Sequence, residues 1–269
     1  MGPIKALRQK ANASPRVQVG KPARQGASVA VAGSNPSLEW DPDLAESRES
    51  AAIQRYFANR YPHRSEGRSA LLLFRRREED RCNLLGRWLP RTEGLTLLDV
   101  GCGDGMFLWQ ALRGMPSLLR LEDLVEENVR RAARLFEDHV PIVEFQATDF
   151  RASADRRKYD CVLATGVSDY IRDWEGLVDT VVGRTRGVAA LDFPKSGTLN
   201  HHVRRAWLRL WGVRLYATTH EDLVAMFEAL QLRVNIEELP YNWAVRIDVA
   251  AHTVLSTGRG SRNGRTRTH

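Results

Sequence analysis

Leu97-Leu98-Asp99-Val100-Gly101-Cys102-Gly103-Asp104-Gly105 is the stretch whose reading decides the fold. A short apolar run over residues 95–100 ends in glycines at every second position, and residues 106–113 then read as a helix. That pattern is a buried parallel strand turning into a helix. Positions without a side chain let a ligand lie against the backbone, and a helix start offers N–H groups with no partner inside the helix. Such a loop suits a nucleotide or a related cofactor. It is no Walker-A loop, because Gly-Lys-Ser/Thr is absent. It also departs from the G-x-G-x-x-G of dinucleotide sites, whose last position counted from Gly101 is Met106.

Working outward, short apolar segments at 117–121, 141–145, 160–164 and 187–193 read as strands, with helices over 126–137 and 177–184. Regular alternation of strand and helix implies a parallel sheet with helices on both faces. Upstream, Ile53, Tyr56, Phe57 and Tyr61 form a helical stripe in 49–61. A second stripe in 69–89 holds Leu72, Leu73, Cys82, Leu85, Trp88 and Leu89, and Pro90 closes it. Toward the end, residues 201–211 read as a helix with Val203, Trp207, Leu210 and Trp211 on one face and Arg204, Arg205 and Arg209 away from it. Thr219 with Asp222 resembles a capping box opening a helix over 220–230. Residues 232–238 and 244–250 alternate like strands, and their short Pro-Tyr-Asn connection requires antiparallel pairing. The expected fold is α/β: a Rossmann-like, doubly wound, mostly parallel seven-stranded sheet with an antiparallel edge hairpin and N-terminal helices.

The pattern D-x-G-x-G-x-G at Asp99–Gly105 resembles motif I of the class I S-adenosylmethionine-dependent methyltransferases. Further residues match that family in order and spacing across residues 94–193. Asp123, Val129 and Ala132 fit its second motif, although Val125 stands where the family has serine. Thr148-Asp149-Phe150 fits the segment after strand three, and Tyr159-Asp160-Cys161-Val162 fits the start of strand four. The resemblance implies S-adenosyl-L-methionine as cofactor. It makes Asp99, Gly101, Cys102, Gly103 and Gly105 cofactor-binding, closes the loop holding Thr165 over the methionine side, and sets Asp123 at the ribose hydroxyls, with Glu122 in reserve. Asp149 is then expected to accept from the adenine amino group, and Phe150 to pack on its ring. Each acid also has a plainer reading: Asp123 as a helix-start carboxylate, Asp149 as a loop acid, Asp99 as a cap on the glycine turn.

By the same resemblance, the acceptor site is built from the N-terminal helices, here residues 56–63, and the segment after strand five, here 195–216. His201 and His202 lie there beside Trp207, Trp211 and Tyr216, which suits an apolar, ring-containing acceptor with one ionisable group. Equally, the tryptophans are a core stripe and the histidines exposed helix-start residues. Asp169 and Tyr170, just after strand four, are the other acid–base candidates. No spacing of metal ligands is convincing, and no metal is expected. The N/D-P-P-Y/F motif of amino-group methylases is absent after strand four. Phe193-Pro194-Lys195 has no assigned role. The expected function is methyl transfer to a small organic acceptor, through an oxygen nucleophile. The alternatives are an RNA or protein methyltransferase using basic tails, and a non-catalytic cofactor-binding protein. A further one is interfacial: the short amphipathic segment 203–211, with its arginines, could touch lipid.

The chain has 269 residues, 43% hydrophobic and 27% charged, which excludes a wholly disordered or fibrous protein. No apolar run is long enough to span a bilayer, and the basic start lacks the apolar core of a secretory signal. Cys82, Cys102 and Cys161 form no C-x-x-C pair, so neither a disulfide scaffold nor a cysteine zinc site is expected, and the cytoplasm fits. The net charge of +7 is uneven: residues 1–36 carry six basic residues and 257–269 carry four, with no acids, which leaves −3 on 37–256. Nucleic acid is therefore not expected as a partner, since a binding surface would carry its own basic face. The expected layout is a disordered basic leader (1–36), a methyltransferase domain (37–256, with N-terminal helices over 37–92 and an acceptor-site lid over 195–218) and a disordered basic tail (257–269). The leader's composition also fits an organelle transit peptide. Nothing in the sequence indicates an oligomeric state.

Overall fold

The glycine loop is the hinge of a seven-stranded sheet in a computed structural model that describes residues 42–60 and 72–250. The described elements belong to one unit that begins at Asp41. The expected leader and tail lie outside the described residues, as does the stretch 61–71 with Tyr61 and His63. Two helices come first, α1 (Pro42–Arg60) and α2 (Leu72–Trp88). Then follow β1 (Thr96–Val100), α3 (Met106–Ala111), β2 (Leu118–Asp123), α4 (Glu126–Phe136), β3 (Ile142–Ala147), β4 (Tyr159–Ala164), α5 (Trp174–Gly183) and β5 (Thr185–Pro194). The chain ends in α6 (Leu199–Leu210), α7 (His220–Ala229), β6 (Val234–Glu238) and β7 (Asn242–Asp248). The strand order is β3-β2-β1-β4-β5-β7-β6. The first five strands pair in parallel; β7 runs antiparallel between β5 and β6.

Sequence explains the layering. Leu97 and Leu98 are both fully buried, as are Val162 and Leu163, so successive residues on central strands have no wet face. One face packs Leu98, Val100, Val162 and Leu191 against Leu177 and Val181 of α5 and Leu223 and Phe227 of α7. A smaller core joins Ala52 and Ile53 of α1 to Tyr170, Leu208, Val213 and Leu215, and so fastens α1 to the segment after β5.

Element boundaries differ from expectation where capping decides. α5 starts at Trp174 because Asp173 accepts the Gly176 N–H (2.9 Å), three residues before the apolar pattern becomes clear. α3 stops at Ala111 because Leu112 turns extended. Asn242, read as part of the turn, is the first residue of β7, and Leu239 N–H closes the hairpin on its carbonyl (2.9 Å). Thr219 does cap α7, accepting from Asp222 N–H at 3.1 Å.

Candidate cofactor and acceptor site

Parallel pairing brings the ends of β1, β2, β4 and β5 to one edge of the sheet. There the N–H groups of Gly101 and Cys102 both reach the Glu122 carbonyl (2.7 and 3.1 Å), the last rung between β1 and β2. The chain then turns through Gly101, Gly103 and Gly105, all in the left-handed region with φ of +68°, +55° and +76°. Two of them also answer to close neighbours. A Cβ on Gly101 would lie 2.4 Å from Val167 Cγ2, and one on Gly105 would lie 3.0 Å from both Cα and Cβ of Ala132 in α4. Gly105 thus lets the start of α3 approach helix α4 closely.

Asp123 ties this loop down. Its carboxylate accepts from Gly103 N–H and from Val125 N–H, both at 2.9 Å. A carboxylate offers about four acceptor positions, so it retains capacity for a ligand's hydroxyls. Burial pushes Asp123 above its ordinary value, against the hydrogen bonds from the Val125 and Gly103 backbone. Glu122, the reserve candidate, faces elsewhere. It is fully buried, held by both Arg184 Nη atoms (2.7 and 3.0 Å) and by the Ser153 hydroxyl (3.0 Å). It is an internal ion pair of the fold.

Asp99 is buried and pushed up to about 8, by burial first and then by the Asp123 charge. Burial, then Asp123, Asp99 and Asp104, push the Cys102 thiol well up, so it stays a neutral lining group. Three acidic side chains, Asp99, Asp104 and Asp123, thus converge on a glycine-lined turn, and a cation placed there would relieve the repulsion between them.

The other expected site residues fall as follows. Thr148 N–H donates to the Asp123 carbonyl (2.8 Å), so Asp149 adjoins the loop. Asp149 is already engaged: it accepts from Arg151 N–H (3.0 Å) and from the Arg151 guanidinium (Nε 3.0 Å, Nη2 2.5 Å). Burial raises this carboxyl, but the Arg151 contacts outweigh it and hold it below the usual range. Phe150 is buried and packs in the main core. Thr165 lies half-buried after β4, beside the Gly101–Val167 contact. Asp169 is buried, forming an ion pair with Arg204 of α6, whose other Nη donates to the Tyr170 hydroxyl (2.5 Å). His201 is half-buried, whereas His202 is exposed; their ring centres are 5.6 Å apart. Trp207 and Trp211 are exposed, so the core-stripe reading of them is overturned. Lys195 pairs with Glu238 (2.5 Å) and sits 4.4 Å over the Trp243 ring, fastening the end of β5 to the hairpin.

Sequence reasoning missed Arg81 and Asp192. Asp192, buried near the end of β5, accepts from Gly166 N–H (2.6 Å), Asn242 Nδ2 (2.6 Å) and Arg81 Nη2 (2.9 Å). The Arg81 guanidinium lies 5.0 Å over the Phe107 ring and against Gly166, and its buried Nε has no partner. An acid inside the apolar run Ala190-Leu191-Asp192-Phe193 was the available signal for Asp192; Arg81 sits in a charge-rich helix that hides it. A cleft of about 520 Å³ borders the site between Gln54, Arg55 and Ala58 of α1 and Val125, Glu126 and Arg130.

Residues 73–238 match the family model described as a methyltransferase domain, more than half of the chain, and the protein belongs to that family. The fold, the glycine loop and that match make it a class I S-adenosylmethionine-dependent methyltransferase. Among solved structures it is similar to magnesium protoporphyrin IX methyltransferase from Synechocystis PCC 6803 with bound S-adenosylhomocysteine. That pair shares 16% identity and a TM-score of 0.57, covering 74% of this chain and 99% of the other. It also resembles 1,6-didemethyltoxoflavin-N1-methyltransferase from Burkholderia thailandensis (17% identity, TM-score 0.54, 80% and 92% covered). A third is the N-methyltransferase NodS from Bradyrhizobium japonicum WM9 (17% identity, TM-score 0.51, 74% and 98% covered). No curated protein matches the chain by sequence.

Proposed function

We propose that the protein methylates an oxygen nucleophile on a small organic acceptor, with His201 as the base. S-adenosyl-L-methionine supplies an electrophilic methyl group on a sulfonium, and displacement there needs the acceptor held in line. On this reading Asp99, the Gly101–Gly105 backbone and Asp123 hold the cofactor, and Arg81 with Asp192 fixes the Gly166 turn beside it. Solved neighbours whose printed names carry small molecules support a small acceptor. Three buried free cysteines suit a cytoplasmic setting.

The observation that carries the assignment is the His201 ring. Its Nδ1 is buried with no hydrogen-bond partner. Burial first, then the neighbouring His202, Arg205 and Arg204 charges, hold its pKa below the ordinary 6.5, with Asp169 opposing. The imidazole is therefore neutral at pH 7, with a buried polar nitrogen ready for a hydroxyl proton. Asp169 and Tyr170, locked to Arg204, position α6, which carries His201.

A panel of phenol, alcohol, carboxylate and amine acceptors with labelled cofactor tests this. His201→Gln should cut kcat about 10²-fold or more and leave cofactor affinity unchanged. Wild-type kcat should rise with pH through a value below 6.5 and be level by pH 7, and the exposed His202→Gln should behave as wild type. Transfer only to RNA or protein, or an unimpaired His201→Gln enzyme, would overturn the proposal.

A further inference from the structure

Helix α6 carries its apolar stripe on the wrong side for a core. His201, Arg204 and Leu208 recur at three- and four-residue spacing and face the protein. Leu208 is fully buried beside Ile53, Tyr170 and Val213, and Arg204 is locked to Asp169 and Tyr170. Leu199, Val203, Trp207 and Leu210 recur at the same spacing on the opposite side, 81%, 62%, 55% and 81% exposed. Trp211, 45% exposed, borders them and meets the Tyr56 ring edge-on at 5.9 Å. Single exposed apolar residues are ordinary, but five on one helix mark an interaction surface.

Charge identifies the partner. Residues 193–220 contain Lys195, Arg204, Arg205, Arg209 and Arg214 and no acid. Lys195 and Arg204 are engaged inside the protein, whereas Arg205, Arg209 and Arg214 are exposed. A second copy docking helix to helix would set this positive segment against itself. The chain's own termini are poor covers for the same reason, since 1–36 and 257–269 are both basic. Side chains this exposed form a ridge, and a lipid interface accepts a ridge without needing a matching groove. Tryptophan and leucine beside arginine are the side chains that such an interface takes.

We infer that α6 docks this protein on an anionic membrane surface, with Leu199, Val203, Trp207 and Leu210 entering the acyl boundary and the flanking Arg209 and the exposed Arg214 meeting lipid phosphates. This reading is independent of which acceptor is methylated.

Sedimentation of the full chain with vesicles tests it, using phosphatidylcholine alone or mixed with phosphatidylglycerol. The protein should bind the anionic vesicles, much less the neutral ones, and release as salt rises. The triple variant Leu199→Ser, Val203→Ser, Leu210→Ser keeps every charge and alters only exposed positions. It should keep its melting temperature and cofactor affinity and lose vesicle affinity by about tenfold or more. Absence of wild-type binding to anionic vesicles would overturn the inference. So would equal binding by the triple variant, which would assign the attraction to the basic termini. A lipid-free dimer that the same variant dissolves would instead assign the ridge to a second copy.

Discussion

Replacing Gly101 by alanine probes the loop at its tightest point, where two separable costs meet. The first is the backbone: at φ of +68° an L-residue loses about 1–2 kcal/mol. The second is overlap. The new Cβ would lie 2.4 Å from Val167 Cγ2, and forcing an extra carbon into a packed site costs about 1–3 kcal/mol. Gly101→Ala should therefore destabilise by roughly 3.5 kcal/mol. Val167→Ala alone removes two partly buried methyls and should cost about 1.5 kcal/mol. In the double variant the nearest atom becomes Val167 Cβ at 3.7 Å, an ordinary contact, so the overlap disappears. Only the backbone and truncation costs remain, ~3 kcal/mol in all against ~5 for simple addition, a coupling of ~2 kcal/mol. Urea unfolding of the four proteins measures this, provided the denaturant slopes agree. Losses that add to within about 0.5 kcal/mol would show that the β4 loop does not close on the glycine turn.

On the proposed cofactor placement, Asp123→Ala should weaken cofactor binding about 100-fold by titration calorimetry, at about 1.5 kcal/mol for each of two charge-assisted hydrogen bonds to the ribose. Glu122→Gln should instead lower stability by roughly 3 kcal/mol or more, because Arg184 is left buried without its counter-charge. The reverse pattern would exchange the roles of the two neighbours. Asp99, pushed up to about 8, keeps its proton at neutral pH in the free protein. On the same proposed placement, a bound sulfonium would favour the carboxylate, and binding would release that proton below pH 8. Affinity should climb with pH between 6 and 8, by at most about tenfold per unit, and level off above. Asp99→Asn should flatten the slope, and an unchanged slope would remove Asp99 from the site. The same sign governs folding. Because the folded value lies above the unfolded one, the difference in stability between wild type and Asp99→Asn should move against wild type as pH rises from 4 to 8.

The architecture was legible because the strands announce themselves. Leu97-Leu98 and Val162-Leu163 are runs that only a sheet covered on both faces can bury, and glycines at alternate positions mark where it opens. Boundaries set by single side chains were less legible. Asp173 starts α5 three residues early through one hydrogen bond, and no periodicity reports that. The site was legible by half. Glu122 and Asp123 are adjacent acids, and sequence alone allowed either at the ribose. Alternation along β2 separates them: one side chain turns under the sheet to Arg184, and the other turns into the glycine loop. Asp149 was read as an open acceptor, but Arg151 two residues later folds back on it, a local pairing that no motif spells out. Arg81 comes from a helix more than a hundred residues before Asp192, and only the fold joins them.

Helix α6 shows the same limit in energetic form. Its sequence declares an amphipathic helix but not which face turns inward. Burying Leu199, Val203, Trp207 and Leu210 would return about 1.5–3 kcal/mol each. The inward face taken up instead holds one fully buried leucine and the Arg204–Asp169–Tyr170 lock. That lock answers a need of the β4 loop, since a buried carboxylate stripped of its cation costs about 3–5 kcal/mol. The lock alone does not offset what the exposed ridge forgoes. An anionic interface covering the ridge would supply the apolar burial that this orientation leaves out, while the Arg204–Asp169–Tyr170 lock keeps His201 on the inward face. The helix that holds the proposed base is therefore the element whose stability a membrane would most change.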